Sequence, residues 1–124
     1  ERRLRSRMLP ENDDMDTRTL ARQDCIEDCL RCHRSCFEMA MTHCLEHGGR
    51  HVEPGHFRLM IACSEICAAA ARFMMMRSEH AVHVCRECAE ICTQCAAGCD
   101  RLGDMEDCAA GCRRCAESCR AMAA

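Results

Sequence analysis

The sequence predicts an all-α protein, an antiparallel up-down-up-down four-helix bundle with a Cys-lined core and a short N-terminal arm or helix. Three observations carry that prediction. Cysteine and methionine recur at steps of three and four along four separate stretches, the spacing that keeps side chains on one face of a helix. Only a few residues, marked by glycine, proline or serine, separate one stretch from the next, and short connections make neighbouring helices antiparallel. No stretch alternates apolar and polar residues as a half-buried strand does.

Residues 1–16, ERRLRSRMLPENDDMD, form the arm. Its paired arginines suggest a twin-Arg leader, but only Met8 and Leu9 stand between Arg7 and Pro10, short of the apolar segment such a leader needs. The first helix is expected over 17–47, with Asp16 as N-cap and Gly48-Gly49 as a left-handed stop. At about 100° per residue, Cys25, Cys29, Cys32 and Cys36 fall in a narrow arc, His43 and His47 continue the line, and Cys44 sits off to one flank.

The second helix is expected over 54–77. Pro54 suits its first turn, and His56, Met60, Cys63, Cys67, Ala70 and Met74 share a face. The third, 79–102, starts after Ser78 as cap, carries Cys85, Cys88, Cys92, Cys95 and Cys99 at close to the heptad period, and ends at Gly103. The fourth, 105–122, follows Asp104 as cap and aligns Met105, Cys108, Cys112, Cys115, Cys119 and Met122. Fifteen of the 16 cysteines then face the bundle axis, whereas Glu27, Arg31, Glu65, Arg72 and Glu117 lie off the stripes as an ordinary solvated surface.

Composition says what fills this bundle. The 124 residues include 16 Cys and 10 Met against three Phe and no Tyr or Trp, so sulfur replaces the aromatics of a usual small core. The net charge of -3, with no Lys and scattered Arg, argues against a nucleic-acid or anionic-membrane partner. No apolar run approaches the roughly 20 residues of a membrane-spanning helix.

Several chemistries use many thiols. A disulfide scaffold is the usual meaning of high Cys content in a short chain. Here, however, residues three or four apart on a helix have Cβ atoms roughly 5–6 Å apart, beyond the about 3.5–4.5 Å of a disulfide. Cys as a small hydrophobe explains two or three buried thiols, but fifteen on one axis would pack worse than Leu or Ile. The C-x-x-C pairs at 29–32, 85–88, 92–95 and 112–115 have the zinc half-site spacing, which keeps a zinc-binding cysteine-rich structural or interaction module as the alternative. Zinc knots are built from turns, whereas these thiols run in unbroken columns. A redox C-x-x-C belongs at a helix N-terminus in an α/β fold, and an iron–sulfur cluster needs only four thiolates. A copper-dependent oxidase or peroxide-consuming reductase would need a substrate site, and no carboxylate dyad, resolving-Cys pair or Gly-rich loop marks one, so the chain is read as not an enzyme.

Soft, monovalent Cu(I) fits the columns. Thiolates select Cu(I), and each Cu⁺ replaces one proton, so a core holding about one ion per Cys is close to neutral. The sixteen expected ligands are Cys25, Cys29, Cys32, Cys36, Cys44, Cys63, Cys67, Cys85, Cys88, Cys92, Cys95, Cys99, Cys108, Cys112, Cys115 and Cys119. Many similar sites mean capacity: storage, buffering or detoxification.

The segments HFRLMIACSEIC (56–67), CRECAEICTQC (85–95) and CRRCAESCRAMA (112–123) resemble the bacterial four-helix-bundle copper storage proteins, from about Cys25 to the C-terminus. The resemblance implies a homotetramer of bundles holding many Cu(I) ions, mainly in bis-thiolate sites with a few outer His or Met ligands. Without an intact leader the chain is similar to the cytosolic type, which places it in the cytoplasm. It departs from the pattern in having only two Cys on the second helix, where Ala68 to Ala71 and Phe73-Met74 mark a drier end.

Most His and Met carry no metal role in this reading; His33, His51, His80, Met41, Met75 and Met76 are taken as surface or core. His43, His47, His56, Met60 and Met105 differ because an antiparallel bundle brings them to one end. They bind Cu(I) more weakly than thiolate does, which suits a metal entrance.

Overall fold

A computed structural model describes the chain from residue 13 to residue 124, with side chains from residue 17 onward. Four helices make up the described residues: α1 (Asp13–Met39), α2 (Pro54–Met75), α3 (Ala81–Leu102) and α4 (Glu106–Ala123). α1 packs on α2 and α4, α2 on α3, and α3 on α4, with little contact across the diagonals. The four axes therefore form a closed square, the up-down-up-down arrangement expected from short connections.

Three ends differ from the sequence expectation. α1 is already helical at Asp13, so Asp16 stands inside the helix instead of capping it, and most of the expected arm lies outside the described residues. Acidic residues near a helix start are favoured by the macrodipole without being caps. α3 begins at Ala81 after a tight turn in which the His80 N–H donates to Ser78 Oγ at 3.0 Å. α4 begins at Glu106; Asp104 adopts a left-handed φ of 60° in the corner, and Glu106 and Asp107 supply the negative charge of the first turn. Pro54 does open α2, and the Glu53 carboxylate caps it by accepting from the His56 N–H at 3.1 Å.

The end of α1 holds the most consequential departure. After Met39 the chain makes a π-helical turn, Ala40–Cys44, before one last α-turn, Leu45–His47. Thr42 sits in this turn and donates its hydroxyl to the Glu38 carbonyl at 2.6 Å, a side-chain bond that competes with regular helix bonding. Residues in an i→i+5 turn advance less around the axis, so Ala40–Cys44 falls back by roughly one residue of rotation. Cys44 is therefore 0% exposed instead of flanking the stripe, and His47 is turned outward. Gly48, at φ 73°, ends the helix and leads into a 3-10 turn, Gly49–Val52.

Small residues let the helices close on one another. Ala89 and Ala96 on α3, and Ala109 and Ala116 on α4, recur at heptad spacing beside the thiols and are buried. Across α1 and α2, Ser64 is fully buried; its hydroxyl donates to the His33 carbonyl at 2.9 Å while His33 Nδ1 lies 2.9 Å from Ser64 Oγ. This clamp gives His33 a structural role.

At Gly98 α3 passes close to α2, since a Cβ built there would sit 2.5 Å from His56 Nδ1. Because His56 is itself buried, its ring cannot simply swing into solvent. Gly98→Ala should cost about 1–3 kcal/mol of stability as a small-to-large change in a packed site. Denaturant unfolding checks this, and His56→Ala in the same background should return much of the loss.

Candidate metal centre

All sixteen cysteines are buried, none more than 2% exposed, and all are free. Each helix contributes one stripe, so the sulfurs stack along the axis as a continuous column. Cys25, Cys85 and Cys119 form a triplet. Next to it stand the quartets Cys29/Cys88/Cys115/Cys119, Cys32/Cys67/Cys92/Cys115 and Cys32/Cys36/Cys63/Cys112, the sulfurs of each group lying within 4.8 Å of one another. Beyond them the column continues through Cys36 to Cys108 at 3.7 Å and Cys108 to Cys99 at 4.0 Å, with Cys95 facing Cys112, Cys36 and Cys99.

The spacing is that of non-bonded contact. Cys29 to Cys119 and Cys67 to Cys92 are 3.5 Å apart, and Cys32 to Cys63 is 4.0 Å. Neighbours on one helix, Cys32 and Cys36 or Cys88 and Cys92, stand 3.9 Å apart. A set of closed tetrahedral sites would need separate ligands for each ion. Here Cys32, Cys115 and Cys119 each belong to two groups. Shared ligands suit bridging thiolates and a cluster of monovalent ions.

Hydrogen bonds among the thiols, together with burial, set the protonation, and at Cys44 burial leads. Burial pushes the Cys44 thiol up, helped by the neighbouring Cys108 and Cys95. Cys67, Cys112 and Cys119 are held well above the usual thiol range by hydrogen-bonded neighbours, first Cys115, Cys108 and Cys115 respectively, and then by burial. At Cys85 the Cys119 thiol pulls down, but the Cys25 hydrogen bond and burial outweigh it and raise the group to about 12. Cys32 and Cys88 move the other way, because hydrogen bonding with neighbouring cysteines, led by Cys112 and Cys115 respectively, favours their thiolates. The column can thus give up a first proton to a metal more easily than it can give up all of them to water.

At the α1–α2 end the structure assembles a histidine group. The rings of His43 and His47 are 5.6 Å apart, those of His43 and His51 5.0 Å, and those of His47 and His51 4.2 Å, centroid to centroid. His51, read from sequence as surface or core, is buried and belongs to this cluster. Its pKa is lowered by burial and then by the neighbouring His47 and His43. The sequence signal was H-x-x-x-H-x-x-x-H, interrupted by two glycines that fold the third His back over the first two. His56 is buried beside a cleft of about 170 Å³ lined with Arg50, Glu53 and Arg101. Met60 is fully buried and accepts from the Cys44 thiol at 3.7 Å, while Met105 is 1% exposed at the α3–α4 corner. At the other end, His83 is exposed beside His80 and Arg86.

Fold and column together define a class: a helical bundle whose core is a polynuclear thiol ligand. The family model described as copper storage protein matches residues 18–124, and the chain belongs to that family. Its relatives agree. A crystal structure of a Nitrosospira multiformis protein is 50% identical, with a TM-score of 0.83, and the match covers 85% of this chain and 96% of that one. The Cu(I)-bound copper storage protein BsCsp3 is 37% identical with a TM-score of 0.77, over 84% of this chain and 99% of that one. Apo-Csp3 from Bacillus subtilis is 36% identical with a TM-score of 0.69, over 82% and 98%. An uncharacterized cysteine-rich protein, YhjQ, of Bacillus subtilis strain 168 is 38% identical over 102 residues, 81% of this chain and 94% of that protein.

The reduced, metal-free bundle should lose stability at high pH. Thiols whose folded pKa lies above their unfolded value stabilise the fold below that unfolded value, 9.0, and the contribution drains away as pH rises through the folded pKa. Thiols shifted downward have finished titrating in both states above 9.0 and no longer change the balance. Each raised thiol of the Cys67, Cys112 and Cys119 kind therefore removes up to about 1.4 kcal/mol per pH unit. Denaturation midpoints should fall steeply above about pH 9; a midpoint rising in that range would contradict the assignment.

Proposed function

We propose that the chain stores copper as many Cu(I) ions held by its sixteen cysteine thiolates, serving buffering, storage or detoxification. The observation that carries this reading is the column of shared thiols, continuous from Cys25 to Cys99. Capacity is what such a column offers. A proton leaves for every Cu⁺ that enters, so the filled core stays close to neutral without buried counterions. Divalent ions at the same density would leave it strongly positive. Storage by ion exchange requires no turnover, so we read the protein as not an enzyme.

Sixteen unpaired thiols suit a reducing compartment, which supports a cytoplasmic location. No described helix is long and apolar enough to cross a membrane. Phe37 on α1, Met41 on the π-helical turn and Leu45 on the last α-turn form an exposed apolar row, each four residues from the next. The row supports assembly with further copies of the chain, in the tetramer that the family resemblance implies.

The histidine end is the metal entrance. His43, His47 and His56, now joined by His51, would receive Cu(I) as transient ligands and pass it to Met60, Met105 and the first thiols of the column. Weak ligands at the mouth and strong ones inside draw ions inward without trapping the first arrival.

Two measurements test the proposal. Anaerobic titration of the reduced protein under a competing chelator should retain on the order of one Cu(I) per Cys. Saturation at four ions or fewer would sink storage, and tight retention of one or two Zn(II) instead would favour the zinc module. Replacing His43, His47 and His56 by apolar residues should slow both loading and chelator removal while leaving capacity within a few ions. Matching changes at Met74 and His83 should alter neither rate. Slowing by the second set alone would put the mouth at the other end, and no effect from either would mean exchange by opening of the bundle.

A further inference from the structure

We infer that His43, His47 and His51, beyond their part in copper entry, form a second metal site at the mouth of the column, which takes one borderline divalent cation of the Zn(II) class through imidazole alone. The geometry comes first. Three imidazoles on one tetrahedral ion, with metal–nitrogen bonds of about 2.0–2.1 Å, place their ring centroids about 5 Å apart. The three observed centroid separations, 4.2, 5.0 and 5.6 Å, bracket that value, while the ligand nitrogens of the three rings are not all within 4.8 Å of one another, so closing on an ion requires a ring to turn.

The second observation is an unmet demand for a partner. His51 is 4% exposed, and its Nδ1 is buried with no hydrogen-bond partner; Nε2 of His43 is in the same condition. Buried imidazole nitrogens without partners are costly, and a metal ion shared between them satisfies both. His47, exposed at the rim, is free to rotate its ring and complete the set. His43 and His47 are held one turn apart by the end of the first helix, and the 3-10 turn after Gly48 sets His51 against them. Asp104 lies near enough for its charge to act on His51, which offsets part of the charge a cation brings.

Ligand chemistry separates this site from the cargo. Thiolate outbids imidazole for Cu(I), so at equilibrium Cu(I) drains into the column, whereas imidazole suits Zn(II), Cu(II) and Co(II). The inference rests on the histidine geometry and not on the storage reading.

The test uses the full chain, loaded anaerobically to about one Cu(I) per Cys and washed with a weak Cu(I) chelator that clears imidazole-bound copper. Copper retained at this stage reports on storage by itself. Co(II) is then titrated. The expected result is one Co(II) per chain with tetrahedral ligand-field bands, no new thiolate-to-Co(II) charge transfer in the difference spectrum, and displacement by Zn(II). His51→Ala, and independently the exposed His47→Ala should the buried change unfold the end, should weaken binding at least about tenfold. His83→Ala, at the opposite end, should leave it unchanged. Absence of the bands, binding that survives both His47→Ala and His51→Ala, or bands accompanied by thiolate charge transfer would overturn the site.

Discussion

Sulfur atoms packed 3.5 to 4.0 Å apart in a dry core are the constraint on which the rest of this structure depends. At that spacing the thiols cannot all ionise without bound metal, because neighbouring thiolates without counterions would repel one another where no water screens them. Protonated, they behave as small hydrophobes and hold the helices together. With copper, each proton gives way to a cation of the same charge. The one arrangement serves as apolar core when empty and as ligand when full.

That double duty shapes the helices. Thiol side chains are short, so the four axes must lie close, and Ala89, Ala96, Gly98, Ala109 and Ala116 provide the clearance. Larger residues at these positions would push the stripes apart and break the sharing of Cys32, Cys115 and Cys119 between groups. The same closeness leaves few polar groups inside. Ser64 is accommodated because it exchanges hydrogen bonds with His33 across α1 and α2.

The two ends of the column are chemically unlike. Toward Met74 the core turns aliphatic, with Ala70 and Ala71 fully buried. Toward Gly48 it changes from thiol to thioether to imidazole, with Cys44 against Met60 and the histidines beyond. The π-turn at Ala40–Cys44 makes this gradient possible, since it carries Cys44 inward and His47 outward by one shift of register. A regular α-helix would have placed His43 and His47 on the thiol line and left Cys44 at its flank.

The sequence by itself determined the four helices, their antiparallel order, the cysteine stripes and the preference for a soft monovalent ion. All of these follow from local quantities: a period of three to four residues, breakers at Gly48, Pro54 and Gly103, and the chemistry of sulfur. Only the tertiary structure decided how the stripes interlock, which thiols are shared, where Cys44 points and that His51 joins His43 and His47. A π-turn leaves no clear period in a single sequence, because Ala40 to Cys44 reads equally well as α-helix. The histidine cluster depends on a turn closing in space, and distances set by loop closure are not encoded in spacing along the chain.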